Sequence, residues 1–105
     1  MIRIYASRSG ACCRLLVTGH AQGGEESHVI CAGVSALAGA LALHAAASCR
    51  HARYHMAPGE VFVSCPHPGE GFALVMRGLC EIAKSYPDQV QIVQYSSVDD
   101  KIETM

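Results

Sequence analysis

Residues 18–43 read TGHAQGGEESHVICAGVSALAGALAL, joining a polar, glycine-bearing segment to a long run of helix-forming residues. His20 stands where the pattern predicts the end of a strand, and Cys31 stands where it predicts the start of a helix. The helix dipole and the unpaired amides at a helix start favour the thiolate form of a cysteine. An imidazole at the other end of the intervening loop can accept the thiol proton. The stretch therefore predicts a cysteine–histidine site between a strand and a helix.

The helix predicted from Cys31 to about Arg50 is rich in alanine and leucine. Its apolar residues at helical spacing predict one buried stripe, made of Val34, Leu37, Leu41 and Ala45. A membrane span needs about 20 predominantly apolar residues, and this run is rich in the weakly apolar alanine, with Ser35 and His44 inside it. We therefore expect a core helix and no membrane partner.

The rest of the chain alternates between apolar and polar residues in short runs. The alternation predicts strands at residues 2–7, 13–18, 51–56, 61–65 and 90–95. A second helix is predicted from one apolar face, formed by Phe72, Val75, Leu79, Ile82 and Tyr86. The order ββαββαβ predicts an α/β (α+β) two-layer sandwich, with a five-stranded, mostly antiparallel sheet and both helices on one face.

The length of 105 residues predicts a single domain over residues 1–105. Gly23-Gly24 makes the backbone permissive, so the loop at residues 21–28 is predicted to be mobile. The polar tail at residues 96–105 is predicted to be frayed.

The formal charge of −1 shows no excess of basic residues, so we expect no direct nucleic-acid partner. The segment Met1 to Ser7 alternates in polarity and carries Arg3, which is unlike a signal peptide. We therefore expect a cytoplasmic protein whose six cysteines stay reduced.

Metal binding is a rival use of the cysteines and histidines. The candidate zinc ligands are Cys12, Cys13, His20, His28 and Cys31. Neighbours on a strand point to opposite faces, so Cys12 and Cys13 cannot serve one site, and the chain has no C-x2-C pair. We expect no metal and no cofactor. The residues of these types in the central part of the chain fit solvent-facing histidines and buried cysteines, namely His44, Cys49, His51, His55, Cys65 and His67.

Two segments carry a resemblance to a known family. Gly19-His20-Ala21, followed by VICAGVSAL at residues 29–37, resembles the signature of the bacterial ribosomal-processing cysteine proteases, often called Prp. The family pattern is Gly-His, a flexible loop, then Asp-(Ile/Val)-Val-Cys-Ala-Ala-(Val/Ile)-Ser-Ala-Leu. Further matches resemble the family's last helix and strand, and they are Gly78-Leu79, Ile82-Ala83, Tyr86-Pro87 and Val90-Gln91-Ile92.

The resemblance implies a cytoplasmic cysteine endopeptidase, generally a homodimer, with Cys31 as nucleophile and His20 as general base and acid. Its implied substrate is the N-terminal extension of a large-subunit ribosomal protein. Ser35 matches a family serine and is a supporting residue. The implied substrate loop consists of Gln22, Gly23, Gly24, Glu25, Glu26 and Ser27.

Two positions depart from the family pattern. His28 stands where the family has an acidic residue, and Gly33 replaces an alanine. His28 is the second supporting candidate, and Glu25 or Glu26 is the candidate replacement for the missing acid. The His28 departure also motivates the alternative of a non-catalytic ribosome-assembly or interaction module with the same fold.

Overall fold

The computed structural model describes residues 1–98, in which five strands and two helices follow one another in the predicted order ββαββαβ. The elements are β1 (Ile2–Ser9), β2 (Cys12–Thr18), α1 (Ser27–Ser48), β3 (Arg53–Ala57), β4 (Glu60–Pro66), α2 (Gly71–Ser85) and β5 (Val90–Val98). β5 continues to Val98, so residues 96–98 of the predicted frayed tail belong to a strand. Residues 99–105 of that tail lie outside the described part of the chain.

The strands form one sheet in the order β3-β4-β2-β1-β5. Three of its neighbouring pairs are antiparallel, and β1 and β5 run parallel. Because the chain returns to the opposite edge of the sheet through α2, β5 can align with β1 in the same direction. The predicted mostly antiparallel α+β sheet is confirmed.

Alternate residues of the strands face the helices and form the core. On β1 and β2 the buried residues are Ile2, Ile4, Ala6, Cys13, Leu15 and Val17. Both helices lie on this side of the sheet: Gly39 of α1 approaches Met56, and Phe72 of α2 meets Tyr95 edge to face with ring centroids 6.2 Å apart. The predicted two-layer arrangement follows from these contacts.

Helix α1 begins at Ser27, four residues before the predicted start at Cys31. Ile30 explains the difference, because it is buried one turn before Val34 and extends the apolar stripe towards the N-terminus. The predicted loop at 21–28 is therefore too long by two residues. Val34, Leu41 and Ala45 are buried as predicted.

Leu37 of the predicted stripe is only half-buried and packs against Gly78 of α2. α1 is long and apolar enough to cross a membrane by length and composition. Its buried stripe nevertheless packs into the core of this domain, as a core helix does.

Cys49, which caps the C-terminal end of α1, and Cys65 of β4 are paired as a disulfide with their Cα atoms 6.5 Å apart. The prediction that all six cysteines stay reduced is wrong for this pair, because the fold brings the end of α1 against the helix-facing side of β4. The other four cysteines are free thiols. The four histidines predicted to face solvent are exposed, namely His44, His51, His55 and His67.

Candidate active site

A cleft of about 270 Å³ lies between the first turns of α1 and the β3–β4 turn. His20, Cys31 and Ser35 all line it. The structure thus brings the predicted nucleophile, the predicted base and one supporting residue into one cleft. The remainder of the lining is largely apolar and consists of Ile2, Val17, Gly19, Ala32, Val34, Ala57, Pro58, Gly59, Glu60 and Val61.

Cys31 is half-buried and is the fifth residue of α1, not the first. An amide at this position belongs to the interior hydrogen-bond ladder of a helix. The expectation that Cys31 stands at the start of the helix, beside its unpaired amides, is therefore wrong. A different backbone donor meets the sulfur instead, because the Ala21 N–H donates a hydrogen bond to Cys31 Sγ at 3.2 Å. This bond ties the loop after His20 to the thiol.

His20 is held at the end of β2 by the glycine before it. Gly19 has φ +93°, which disfavours residues with a side chain, and a Cβ at this position would collide with the backbone of Met1. The Gly19 N–H donates to the carbonyl oxygen of Gly59 at 2.9 Å. This bond joins the end of β2 to the β3–β4 turn, and it gives the Gly-His pair of the sequence a structural reason.

The imidazole of His20 lies against the β3–β4 turn. Gly59 in that turn has φ +77°, and a Cβ there would stand 2.5 Å from His20 Nε2. A bare glycine is therefore needed for the ring to occupy its position. Among the hydrogen bonds of residues 1–98, none joins the His20 ring to Cys31 Sγ. The two groups line the same cleft without a hydrogen bond between them.

The predicted substrate loop lies mainly at a second cleft, of about 460 Å³. Four of its residues line that cleft, namely Gly24, Glu25, Glu26 and Ser27. His28 is exposed in the first turn of α1 and lines neither cleft. The structure therefore does not bring His28 or the two candidate glutamates to the cleft that holds His20 and Cys31.

Gln89, between α2 and β5, fastens the beginning of the substrate loop. Its Oε1 accepts a hydrogen bond from the Gln22 N–H at 2.8 Å, and its Nε2 donates to the Gln22 carbonyl oxygen at 2.6 Å. This double contact fixes the backbone next to Ala21, whose N–H meets the thiol.

Sequence reasoning missed three contributors to the site: the Ala21 N–H, Gly59 and Gln89. The Pro58-Gly59 pair predicts a turn, but nothing in a turn signal says that the turn will contact a distant histidine. Gln89 follows a helix-ending Pro87-Asp88 pair, and its side-chain contact joins residues far apart in the sequence. Such long-range contacts leave no periodic signal.

Cys13 is a free and buried thiol on β2. Burial raises the pKa of Cys13 to about 11, and the neighbouring Cys12 adds to the effect. Cys13 lies on the helix-facing side of β2, within the core. Among the described residues, no group of three His, Cys, Asp or Glu side chains is arranged to hold a metal ion.

The sequence matches no protein-family model and no curated protein. Solved structures do share its fold. SMU.848 from Streptococcus mutans is 22% identical with a TM-score of 0.63, over 91% of this chain and 95% of that one.

The ribosomal processing protease Prp from S. aureus, solved with a substrate peptide, is 14% identical with a TM-score of 0.75, over 90% of this chain and 99% of that one. The same protease with a covalently linked product peptide gives 14% and 0.69 over the same shares. At these identities the comparisons show a common fold.

Proposed function

We propose that this protein is a cysteine endopeptidase in which Cys31 is the nucleophile and His20 is the general base and acid. The observation that carries the proposal is the cleft itself, which has the thiol of Cys31 and the imidazole of His20 in its lining and a backbone N–H on the sulfur. The proposal gains support from the fold, which is also that of a protease solved with a substrate peptide and with a covalently linked product.

The reaction proceeds in two halves. His20 takes the proton from Cys31 Sγ, and the sulfur attacks the carbonyl carbon of the scissile peptide bond to form a C–S bond. The C–N bond then breaks, and the amine leaves with the proton that His20 returns. A water molecule gives a proton to His20 and attacks the thioester, and the acid product leaves as Cys31 regains its proton.

The substrate in this proposal is the N-terminal extension of a large-subunit ribosomal protein, removed in the cytoplasm. The motif resemblance supports this choice, and the apolar lining of the cleft suits an apolar side chain next to the cut bond. A homodimer is also part of the proposal. Val29 and Leu43 are 69% and 60% exposed on α1, which leaves apolar surface available for a second copy.

The substrate assignment is tested with the extended ribosomal precursor encoded by the same genome. The proposal expects removal of the extension from this precursor and no cut in a version whose extension has the same composition in shuffled order. Equal cleavage of both versions would leave a peptidase without this specificity. No cleavage of either, or a genome whose copy lacks an extension, would remove the ribosomal assignment.

One observation favours the second candidate, a non-catalytic module: within residues 1–98 the His20 ring and the thiol of Cys31 share no hydrogen bond. Site-resolved alkylation by iodoacetamide at neutral pH separates the two candidates. The protease proposal expects Cys31 to react faster than Cys80, another half-buried helical cysteine, and to slow when His20 is replaced by Gln. Equal rates for the two cysteines would favour the module.

A further inference from the structure

The face of the sheet opposite the helices, called here the open face, is uncovered by any element of residues 1–98. The residues that alternate with the core positions of each strand point to it. On β1 and β2 these include Arg3, Tyr5, Arg14 and Leu16, which are half-buried or exposed between buried neighbours. The open face is therefore a surface available to a partner.

Apolar and ring-bearing side chains form one row across the centre of the open face. Tyr5 pairs with Leu16, Leu16 with Phe62, and Phe62 with His55, on strands β1, β2, β4 and β3. Neighbouring strands lie about 4.8 Å apart, so Tyr5 and Phe62 stand roughly 10 Å from each other. The row gives the face a platform of two aromatic rings with an aliphatic side chain between them.

Arginines flank this row on both sides. Arg14 and Arg53 both align with Ser64 on one side of it, and Arg3 aligns with Thr18 on the other. The strand residues of the face include one acid, Glu60, which already pairs with His55 at 3.6 Å.

The acids of the described chain are distributed quite differently. Apart from Glu60 they lie in the helices and their connections, at Glu25, Glu26, Glu70, Glu81 and Asp88. The overall charge of −1 thus conceals a basic sheet face. The net charge of the whole chain gave no reason to expect an anionic partner. The basic residues of the open face do give one.

We propose that the open face binds single-stranded RNA. The three arginines fit phosphates, which supply most of the affinity of such contacts. Tyr5 and Phe62 fit unstacked bases, as aromatic residues on sheet surfaces do. Hydroxyl and amide side chains beside the row are suited to the 2′-hydroxyl that distinguishes RNA from DNA, and they are Ser7, Thr18, Ser64, Gln91 and Gln94. An acidic peptide would occupy the arginines but leave the rings unused.

The binding is measured by fluorescence anisotropy with a labelled 12-nucleotide oligouridine. Three phosphate contacts on a single strand predict that Kd rises about 20-fold between about 50 and about 200 mM salt. Cys31→Ala is expected to bind as tightly as the wild type. RNA binding and peptidase activity are therefore tested independently of each other.

Two charge-matched triple variants place the contact on the open face. Replacing Arg3, Arg14 and Arg53 with Gln is expected to weaken binding at least about tenfold and to flatten the salt dependence. The control replaces three basic residues outside the open-face rows with Gln, namely Arg50, Arg77 and Lys84. This control changes the net charge equally and is expected to leave Kd within about twofold.

The aromatic row is tested separately with Phe62→Leu, which is expected to weaken RNA binding about tenfold. The thermal unfolding midpoint of this variant checks that it still folds. Several outcomes would overturn the proposal. The first two are a lack of RNA binding and equal losses of RNA affinity in the two triple variants. The next two are an affinity for oligothymidine DNA, or for an oligoglutamate peptide of matched charge, that equals the affinity for oligouridine. The last is an open face occupied by a second copy of this chain. Such an interface would appear as a wild-type dimer that becomes a monomer when Arg3, Arg14 and Arg53 are replaced.

Discussion

The contact between His20 and Gly59 gives the sharpest mutational prediction. In Gly59→Ala the new methyl group would stand 2.5 Å from His20 Nε2, whereas ordinary van der Waals contact begins at 3.4 Å. The imidazole must therefore shift by about 0.9 Å, the difference between these two distances. A misplacement of about 1 Å in a catalytic site can cost about 100-fold in rate. We expect kcat/KM for a peptide spanning the extension junction to fall by about that factor.

The backbone strain of the substitution is separated from the contact by a matched control. Gly69 also has a positive φ, of +66°, but a Cβ there meets nothing within 4 Å. Alanine at either position is expected to cost about 1–2 kcal/mol of unfolding free energy, because both backbones are left-handed. Thermal unfolding should therefore show similar losses, while peptide hydrolysis falls only in Gly59→Ala. Equal hydrolysis by the two variants would refute the idea that the turn positions a working imidazole.

Three further predictions concern parts of the chain around the site. The disulfide closes a loop with a sequence separation of 16, so Cys49→Ser should lower the unfolding free energy by about 3 kcal/mol. Reductant should lower the melting temperature of the wild type and of the control Cys80→Ser, which changes a free cysteine, but not that of Cys49→Ser. Burial raises the pKa of Cys13 from 9.0 to about 11, so the folded state holds this proton more tightly than the unfolded state does. Denaturant titrations should therefore show the unfolding free energy falling between pH 9 and 11, and Cys13→Ala should lose that pH dependence. Gln89→Ala removes both hydrogen bonds to Gln22, so hydrogen exchange at the Ala21 and Gln22 amides should accelerate; unchanged exchange would mean that the clamp does not hold this backbone.

The order and type of most elements could be predicted from the sequence because a strand or helix period marks them; β3 is exposed at every position and has no buried side to mark it. The alternation in β1 and β2 and the spacing of Val34, Leu41 and Ala45 report directly which side of each element is buried. The start of α1 was harder to predict from the sequence. Ser27 and His28 are polar and continue the polar run that begins at Gly23-Gly24, so the pattern indicates a loop. The burial of Ile30 nevertheless adds one more turn to the helix.

The residues of the candidate site were predictable in part. The Gly-His pair and Cys31 are marked by their place between a strand and a helical run, and the structure puts both side chains in one cleft. The roles assigned to Glu25, Glu26 and His28 depended on where the loop turns. In the structure the glutamates line the second cleft, beside the end of α2. Tertiary packing decides that placement, and a local sequence pattern does not contain it.

The comparison of wild type, Cys31→Ala and His20→Ala on one extended ribosomal precursor tests the central claim most directly. Mass spectrometry of the products would locate any cut and measure its rate. A Cys31 nucleophile predicts a single cut by the wild type at the extension junction, none by Cys31→Ala, and a greatly slowed cut by His20→Ala. Cleavage by Cys31→Ala at the wild-type rate, or no cleavage by any of the three proteins, would contradict it.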